Sequence, residues 1–334
     1  MVVMGPRRIF WSVTPEQTNS PYIGDIAGAL RMADWAVEPF TTRELLTTSD
    51  EIVHIQWPEH VSRGSSTATT LAKHLRTGPL LTALRTRGHR VVVTAHNRAP
   101  HGASDPVDAW FRSQVLAMAD AIVVLVPEHG SELRESGAIG PRTNVVTIPH
   151  PIHAPKTAVN PATEQDLLVV LGQIHPYHLI EEFLDAFDHD VCPYEVLVIG
   201  GVGDDELLGR LRERASTAPW LSIEPGFADD AKLAPHLSRC AAVVSLQRNT
   251  FNSGGPFFAL PRNLPIVMSA GAQANDLIER VGAEWVFPVE ENVELRCVEL
   301  NDWLGQVRSK PALSPFTLEA VTTAHIELYE LLRS

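Results

Sequence analysis

Twelve short apolar runs, separated by stretches of helical periodicity, restrict the fold more than any other feature of this sequence. Six lie in the first half, at 8–13, 36–37, 52–57, 90–95, 121–125 and 144–148. Six lie in the second, at 167–171, 195–199, 221–223, 241–244, 265–268 and 285–287. Most are rich in Val and Ile and do not alternate with polar residues. A strand that is apolar on both sides is covered on both sides, and that is the habit of a parallel sheet in an α/β protein. The intervening segments supply the covers, with helices expected over 23–32, 67–87, 107–119, 127–136, 179–187, 204–215, 229–240, 274–281, 293–307 and 315–332. The expected fold class is therefore α/β, with two sheets of Rossmann-like type.

A chain of 334 residues suits two domains of ordinary size. Pro149-His150-Pro151-Ile152-His153-Ala154-Pro155 reads as a stiff connection between them. We expect an N-terminal domain over 1–152, a C-terminal domain over 153–314 and a last helix within 315–334. Charge is divided in the same way. Residues 1–150 hold 14 basic and 14 acidic side chains, whereas the remainder holds 13 basic and 26 acidic ones, so the whole net charge of −13 sits in the second half. A nucleic-acid partner, which needs a basic face, is not expected. No apolar run is long enough to span a bilayer, and the first eight residues lack the apolar core of a signal peptide. Cys192, Cys240 and Cys297 are few and unclustered, which points to a reducing, cytoplasmic compartment and to no structural zinc.

The most informative loop follows the run 241–244. Gln247-Arg248-Asn249-Thr250 is polar, and Asn252-Ser253-Gly254-Gly255-Pro256 opens a short helix through about Leu260, with Ser253 the expected N-cap. Strand, Ser/Gly turn and helix N-terminus together make an anion site, suited to a diphosphate, with the amides of Ser253 and Gly254 facing the ligand and Arg248 as a fork-shaped cation. An ordinary crossover with a glycine turn would carry the same residues. Ligands of doubly wound sheets sit beyond the carboxyl ends of strands. Gly172, the pair Gly200-Gly201 and Gly226 are expected at such ends too. Phe227 follows one of them, where its ring would meet either a planar ligand or the core. His175 and His178, flanking Pro176-Tyr177, would act as cations if protonated beside a diphosphate, or stand as solvated loop residues. In the first half, His96 opens the loop after the strongest strand, Glu59 follows the third strand beside Trp57 and Pro58, and His101 lies further along the His96 loop. His96 is the first candidate for a catalytic role. Glu59, half desolvated by Trp57, and His101 are the candidate bases. No HExxH, DxD or paired-Cys pattern is present, so no metal is expected.

Taken in order, these motifs resemble those of the GT-B glycosyltransferases over most of the chain. The likeness is to bacterial group 1 enzymes of polysaccharide and glycolipid assembly, including the GDP-mannose:glycolipid β-mannosyltransferase-like ones. It rests on Asn19-Ser20-Pro21-Tyr22, on His54-Ile55-Gln56-Trp57-Pro58-Glu59, on Thr94-Ala95-His96-Asn97-Arg98-Ala99-Pro100-His101, on Gly172 through His178, and on Asn252-Ser253-Gly254-Gly255. The family counterparts of the first three run roughly NPY, HxHWPE and TxHNxxPH. The resemblance implies two Rossmann-like domains facing across a cleft, with the last helix packing back on the first domain. It implies an acceptor-binding first domain carrying His96, Glu59 and His101. The second domain would bind a nucleotide diphosphate sugar, GDP- or UDP-linked, through Gly172, His175, Tyr177, His178, Gly201, Phe227, Arg248, Asn252, Ser253, Gly254 and Gly255. That sugar is a co-substrate, and no other cofactor is implied. The acceptor would be a glycan, a lipid-linked or a small molecule, which leaves peripheral membrane contact open.

Two departures stand out. The family's GxIRPYKG motif carries a basic pair where this chain has His175 and His178, with Leu179 in place of the glycine. The glutamate pair of many group 1 enzymes falls on Thr250 and Phe258. These changes favour one alternative, a non-catalytic GT-B-like protein that binds a nucleotide or a partner; a UDP-sugar epimerase-type enzyme with the same fold is the other alternative.

Overall fold

The computed structural model describes residues 7–18, 20–62, 66–97, 106–141, 143–155, 165–248, 251–290, 292 and 295–334. The expected sites Asn19, Arg98 to His101, Asn249 and Thr250 lie outside them, as do the side chains of Glu59 and His60. The chain divides into two compact units, Met1–Pro151 with Ser314–Ser334, and Ile152–Leu313.

Among the described residues each unit is built on one six-stranded parallel sheet. The first sheet holds β1 (Arg7–Trp11), β2 (Trp35–Pro39), β3 (Ile52–Ile55), β4 (Arg90–Ala95), β5 (Ala121–Val124) and β6 (Asn144–Thr147), in the order β2-β1-β3-β4-β5-β6. The second holds β7 (Leu167–Ile174), β8 (Glu195–Val202), β9 (Leu221–Pro225), β10 (Cys240–Ser245), β11 (Ile266–Ser269) and β12 (Val286–Val289), in the order β12-β11-β10-β7-β8-β9. Helices α1 (Pro21–Met32), α2 (Thr42–Thr47), α3 (Pro58–Ser62), α4 (Thr67–Thr86), α5 (Pro106–Met118) and α6 (Pro127–Glu135) belong to the first unit. Helices α7 (Ile180–Ala186), α8 (Asp205–Thr217), α9 (Asp230–Arg239), α10 (Gly255–Ala259), α11 (Ala272–Val281) and α12 (Cys297–Leu304) belong to the second. All twelve expected strands are found; the inner strands β3, β4, β5, β10 and β11 are buried along nearly their whole length, as both-face coverage requires, whereas the edge strands β6 and β9 are only partly covered.

Each sheet reverses its direction of growth once. In the first unit the chain steps from β1 outward to β2 and returns to lay β3 on the other side of β1, with Trp11 paired to His54. In the second it runs β7, β8, β9 and then crosses to β10, which pairs with β7 from Leu168 to Val170. Loops leaving neighbouring strands in opposite directions open a crevice at their carboxyl ends. Both crevices are therefore set by strand order.

The differences from expectation have local causes. Pro58, read as a strand breaker, also opens α3, a position where its missing N–H costs nothing. The short α2 is held by a reciprocal capping box, in which Glu44 N–H donates to Thr41 Oγ1 at 3.1 Å and Thr41 N–H to Glu44 Oε2 at 2.8 Å. Strands β7 and β8 run three residues further than their apolar cores, so Gly172, Gly200 and Gly201 lie within strand ends and not beyond them. Gly172 and Gly200 are register partners with φ of +113° and +148°.

Helix α13 (Leu318–Arg333) closes the first unit, although it follows the second in sequence. Val321, His325, Leu328 and Tyr329 recur at helical spacing and are buried in the core that also holds Trp11, Ile23, Leu30 and Trp35. Two of the four are polar; Tyr329 meets a polar partner from the sheet, and His325 bonds back within α13. Tyr329 Oη lies 2.7 Å from His54 Nδ1, and His325 Nδ1 lies 2.8 Å from Val321 O. Burial, reinforced by His325 and His96 nearby, holds His54 well below the usual histidine range. Burial also lowers His325 to about 4, against a smaller opposing effect of its bond to Val321 O.

Both rings are thus neutral in the folded unit at pH 7. An unfolded histidine titrates near 6.5, so on acidification the unfolded chain takes up protons first and stability falls with pH. His325 alone should cost about 3 kcal/mol between pH ~6.5 and pH ~4, and no more below that. Urea unfolding at stepped pH should show this slope, and His325→Leu should flatten it. An equal slope in the variant would assign the acid sensitivity elsewhere.

Candidate functional site

In the second unit a cavity of about 300 Å³ opens at the β7/β10 reversal. Its walls come from the ends of β7 and β10, the start of α7 and the turn Ser253–Gly255. Its volume falls at the small end of the range for ligand pockets.

The loop between β10 and α10 is held from two sides. On one side it zips to the loop after β7. Arg248 N–H donates to Tyr177 O at 2.9 Å and Leu179 N–H to Leu246 O at 3.3 Å, with His178 and Gln247 bridged between them. On the other side, two side chains of the next strand–helix unit grip its backbone. Ser269 Oγ accepts from Gln247 N–H at 2.7 Å and donates to Gln247 O at 2.9 Å. Gln273 Oε1 accepts from Ser253 N–H at 2.8 Å, and its Nε2 donates to Ser253 O at 2.9 Å. Gln273 and Ser253 are both buried, so the second grip satisfies a donor and an acceptor that water does not reach. Sequence reading missed Ser269 and Gln273. Their signal is faint: a serine ending a strand, and a glutamine in the first turn of the following helix.

This arrangement corrects the expected anion site. The N-cap of α10 is Gly254, not Ser253. Ser253 N–H is already taken by Gln273, and Ser253 Oγ accepts from Gly255 N–H at 3.2 Å and lies 2.9 Å from Ser245 Oγ. The polar groups that this turn brings to the cavity are then the two serine hydroxyls and the Gly254 backbone, beside Gln173, Gln247 and His178 elsewhere in the lining. A Cβ at Gly254 would meet nothing within 4 Å, which leaves room for a ligand. A Cβ at Gly255 would stand 2.8 Å from Ser245 Oγ, so close packing of turn on strand needs glycine there.

Gly172, His178, Ser253, Gly254 and Gly255 line the cavity. The other expected residues stand outside its wall. Arg248, expected as a fork-shaped cation beside the ligand, is half exposed and ion-paired with Glu182 on α7. His175 stacks on Tyr177 at 5.2 Å between centroids and 15° between planes. The His175 backbone N–H donates to His178 Nδ1 at 3.1 Å, an acceptor role that an imidazole protonated on both nitrogens does not fill. Gly201 adjoins the Gln173 side chain, and Asn252 is half-buried in the serine loop. Phe227 is 83% exposed beyond β9, meeting neither core nor cavity. Among the described residues, the lining includes no Lys, Arg, Asp or Glu. Phe258, at one of the two positions where a glutamate was looked for, forms part of the wall.

In the first unit the corresponding strand ends carry a buried polar cluster. His96 stacks on Trp57 at 4.2 Å and 20°, and meets the edge of Tyr22 at 5.0 Å. Its Nε2 lies 3.0 Å from Gln56 Oε1. His54 Nε2 lies 2.7 Å from Thr94 Oγ1 and 3.4 Å from Gln56 Nε2. His96 is thus 9% exposed and ordered by an aromatic pair and an amide. Glu59 falls on α3 close by in sequence. Among the described residues no group of three His, Cys, Asp or Glu side chains could hold a metal ion, and no helix is long and apolar enough to cross a membrane.

No protein-family model matches the chain. It is similar to a GDP-mannose:glycolipid 4-beta-D-mannosyltransferase of Xanthomonas campestris pv. campestris, with 26% identity over 307 residues, 91% of this chain and 84% of that protein. Among solved structures it resembles sucrose-phosphate synthase from Thermosynechococcus elongatus, with a TM-score of 0.68, 14% identity and 98% and 99% of the two chains covered. It also resembles Anabaena HepE in complex with UDP and glucose (TM-score 0.66, 13% identity, 98% and 100% covered). A third is AviGT4, a glycosyltransferase of avilamycin A biosynthesis (TM-score 0.60, 13% identity, 98% of both chains). At these identities the structural likeness speaks for the fold.

The tightest local constraint at the cavity is Gly200, where a Cβ would stand 1.8 Å from Gly172 O. Gly200→Ala should lower the unfolding free energy by roughly 3 kcal/mol, combining backbone strain with a steric clash. Urea denaturation measures this. A loss below about 1 kcal/mol, well inside the ordinary range for point mutants, would mean that β7 and β8 approach less closely than described.

Proposed function

We propose, from the premise that this chain is a glycosyltransferase with the GT-B fold, that it moves mannose from GDP-mannose to a lipid-linked saccharide at the cytoplasmic side of a membrane. The observation that carries the reading is the cavity at the β7/β10 reversal, built where doubly wound sheets bind nucleotides and gripped by Ser269 and Gln273. The likeness to a mannosyltransferase over 91% of the chain supports the sugar and the base.

In this reading the second unit holds the diphosphate by neutral donors: the serine hydroxyls, the Gly254 amide and His178. The acceptor hydroxyl attacks the anomeric carbon as the bond from that carbon to the diphosphate oxygen breaks, and the acceptor's proton passes to a base. Glu59 and His101 are the candidates for that base, and His96 holds a sugar hydroxyl beside the reacting carbon. Charge developing on the departing diphosphate is met by fixed dipoles that need not reorganise. Transfer is proposed to be metal-independent, in keeping with the lack, among the described residues, of a group of three His, Cys, Asp or Glu side chains that could hold a metal ion.

One observation favours a second reading, a protein that binds the nucleotide without turning it over. The wall position where group 1 enzymes carry a carboxylate is held by Phe258, with the Arg262 guanidinium 3.8 Å from its ring centroid. Slow hydrolysis of GDP-mannose without acceptor separates the two, since only an enzyme accelerates it.

Thermal unfolding in EDTA-containing buffer tests the donor site. GDP at a hundred times its dissociation constant should stabilise the protein by about 2.7 kcal/mol, with UDP and dTDP much weaker. No shift with any of the three at millimolar concentration would remove the nucleotide reading. A larger effect of UDP would move the assignment to UDP-sugars.

His96→Ala should lower turnover of GDP-mannose roughly a hundredfold while GDP affinity hardly changes. Parallel loss of affinity and melting temperature would make His96 a packing residue. Normal turnover would return the assignment to Glu59 or His101.

A further inference from the structure

We propose that Gln56 is a positioning residue that fixes the protonation pattern of His96, with the proton on Nε2 and Nδ1 as the basic nitrogen. Gln56 is fully buried at the end of β3, and its two amide atoms face two different histidines. Its Oε1, 3.0 Å from His96 Nε2, can only accept, so this bond requires a proton on that nitrogen. Its Nε2, 3.4 Å from His54 Nε2, can only donate, so His54 Nε2 presents its lone pair. The same lone pair faces the Thr94 hydroxyl at 2.7 Å, which leaves the His54 proton on Nδ1, 2.7 Å from Tyr329 Oη. One pattern therefore satisfies four contacts, running from α13 through β3 and β4 to His96.

Turning the Gln56 amide over would demand the opposite pattern at both rings, His54 protonated at Nε2 and His96 at Nδ1. The two histidines are thus coupled through one side chain. Burial favours the neutral form of His54, which the pattern requires. Trp57 and Tyr22 fix the plane of the His96 ring, and Gln56 chooses which nitrogen carries the proton. Among the described residues, His54, Tyr22 and Arg112 are titratable or charged groups that stand around His96. The consequence for transfer rests on the proposed role of His96. With its Nε2 proton committed to Gln56, the neutral ring accepts a hydrogen bond from a sugar hydroxyl at Nδ1 and does not donate to the departing diphosphate.

Long-range ¹H–¹⁵N spectra of the whole protein labelled at histidine nitrogens test this directly at pH 8, with the His96 signals assigned by their loss in His96→Gln. The expected result is a His96 ring protonated at Nε2, whose proton exchanges slowly with water. Gln56→Leu should mix the two tautomers and speed that exchange about tenfold or more, the full barrier to opening being lost with the partner. Gln56→Glu should keep the Nε2 proton and raise the titration midpoint of the ring, because a carboxylate favours the imidazolium. A His96 protonated at Nδ1 in the unaltered protein overturns the proposal, as does a ring pattern unchanged in Gln56→Leu. If Gln56→Leu does not fold, the unaltered protein and Gln56→Glu still decide between these outcomes. Turnover is the separate arm: normal turnover in His96→Ala alongside the expected spectra would remove the function read for His96 and leave the role of Gln56 intact.

Discussion

A parallel sheet has to be covered on both faces, and a chain that covers both has to reverse the direction in which it adds strands. That reversal is the constraint on which the rest of this molecule depends. It opens one crevice beyond β1 and β3 and another beyond β7 and β10, whatever side chains happen to stand there. The side chains then differ sharply. At the second crevice they are small and polar and leave a cavity. At the first they are aromatic and imidazole rings packed nearly to closure, with space for about 10 Å³ beside His96.

The cavity in the second unit has a distinct electrostatic character. A charged partner strengthens a hydrogen bond about twofold, yet among the described residues none lines this wall, and Arg248 beside it is committed to Glu182. An anion bound here would be stabilised by several neutral donors held in place. Their placement becomes the source of affinity. That gives a physical reason for the double grip of Ser269 and Gln273 on a loop that could otherwise move.

The strands were legible because apolar runs with no alternation mean the same thing wherever they occur. The glycines were legible as a group, but their placement was not. The apolar pattern of β7 stops at Leu171, whereas the pairing of Gly172 with Gly200 carries the strand on, and only the partner strand reveals that. The turn at Ser253 was legible as a turn. Its hydrogen bonds were not, because Gln273 arrives from twenty residues away and takes the amide that the motif seemed to offer. His96 was found as a strand-end histidine. Gln56 was passed over inside its own motif, since nothing in the order of residues says that its amide lies between two rings.

The first unit is discontinuous: Met1–Pro151 is completed by Ser314–Ser334, with the whole second unit inserted between. Synthesis runs from the N-terminus, and domains tend to fold as their chain emerges. The second unit is complete in one stretch and can fold while the chain is still being made. The first cannot. Its sheet emerges early, but Tyr329 and His325 reach it only after α13 has left the ribosome. Until then the face that will hold Trp11, Trp35 and His54 has α1 over it but lacks the part of its cover that α13 supplies, and the half of the protein made first is the half finished last. A chaperone that shields apolar surface would find its work there, in the interval set by the time taken to translate the second unit.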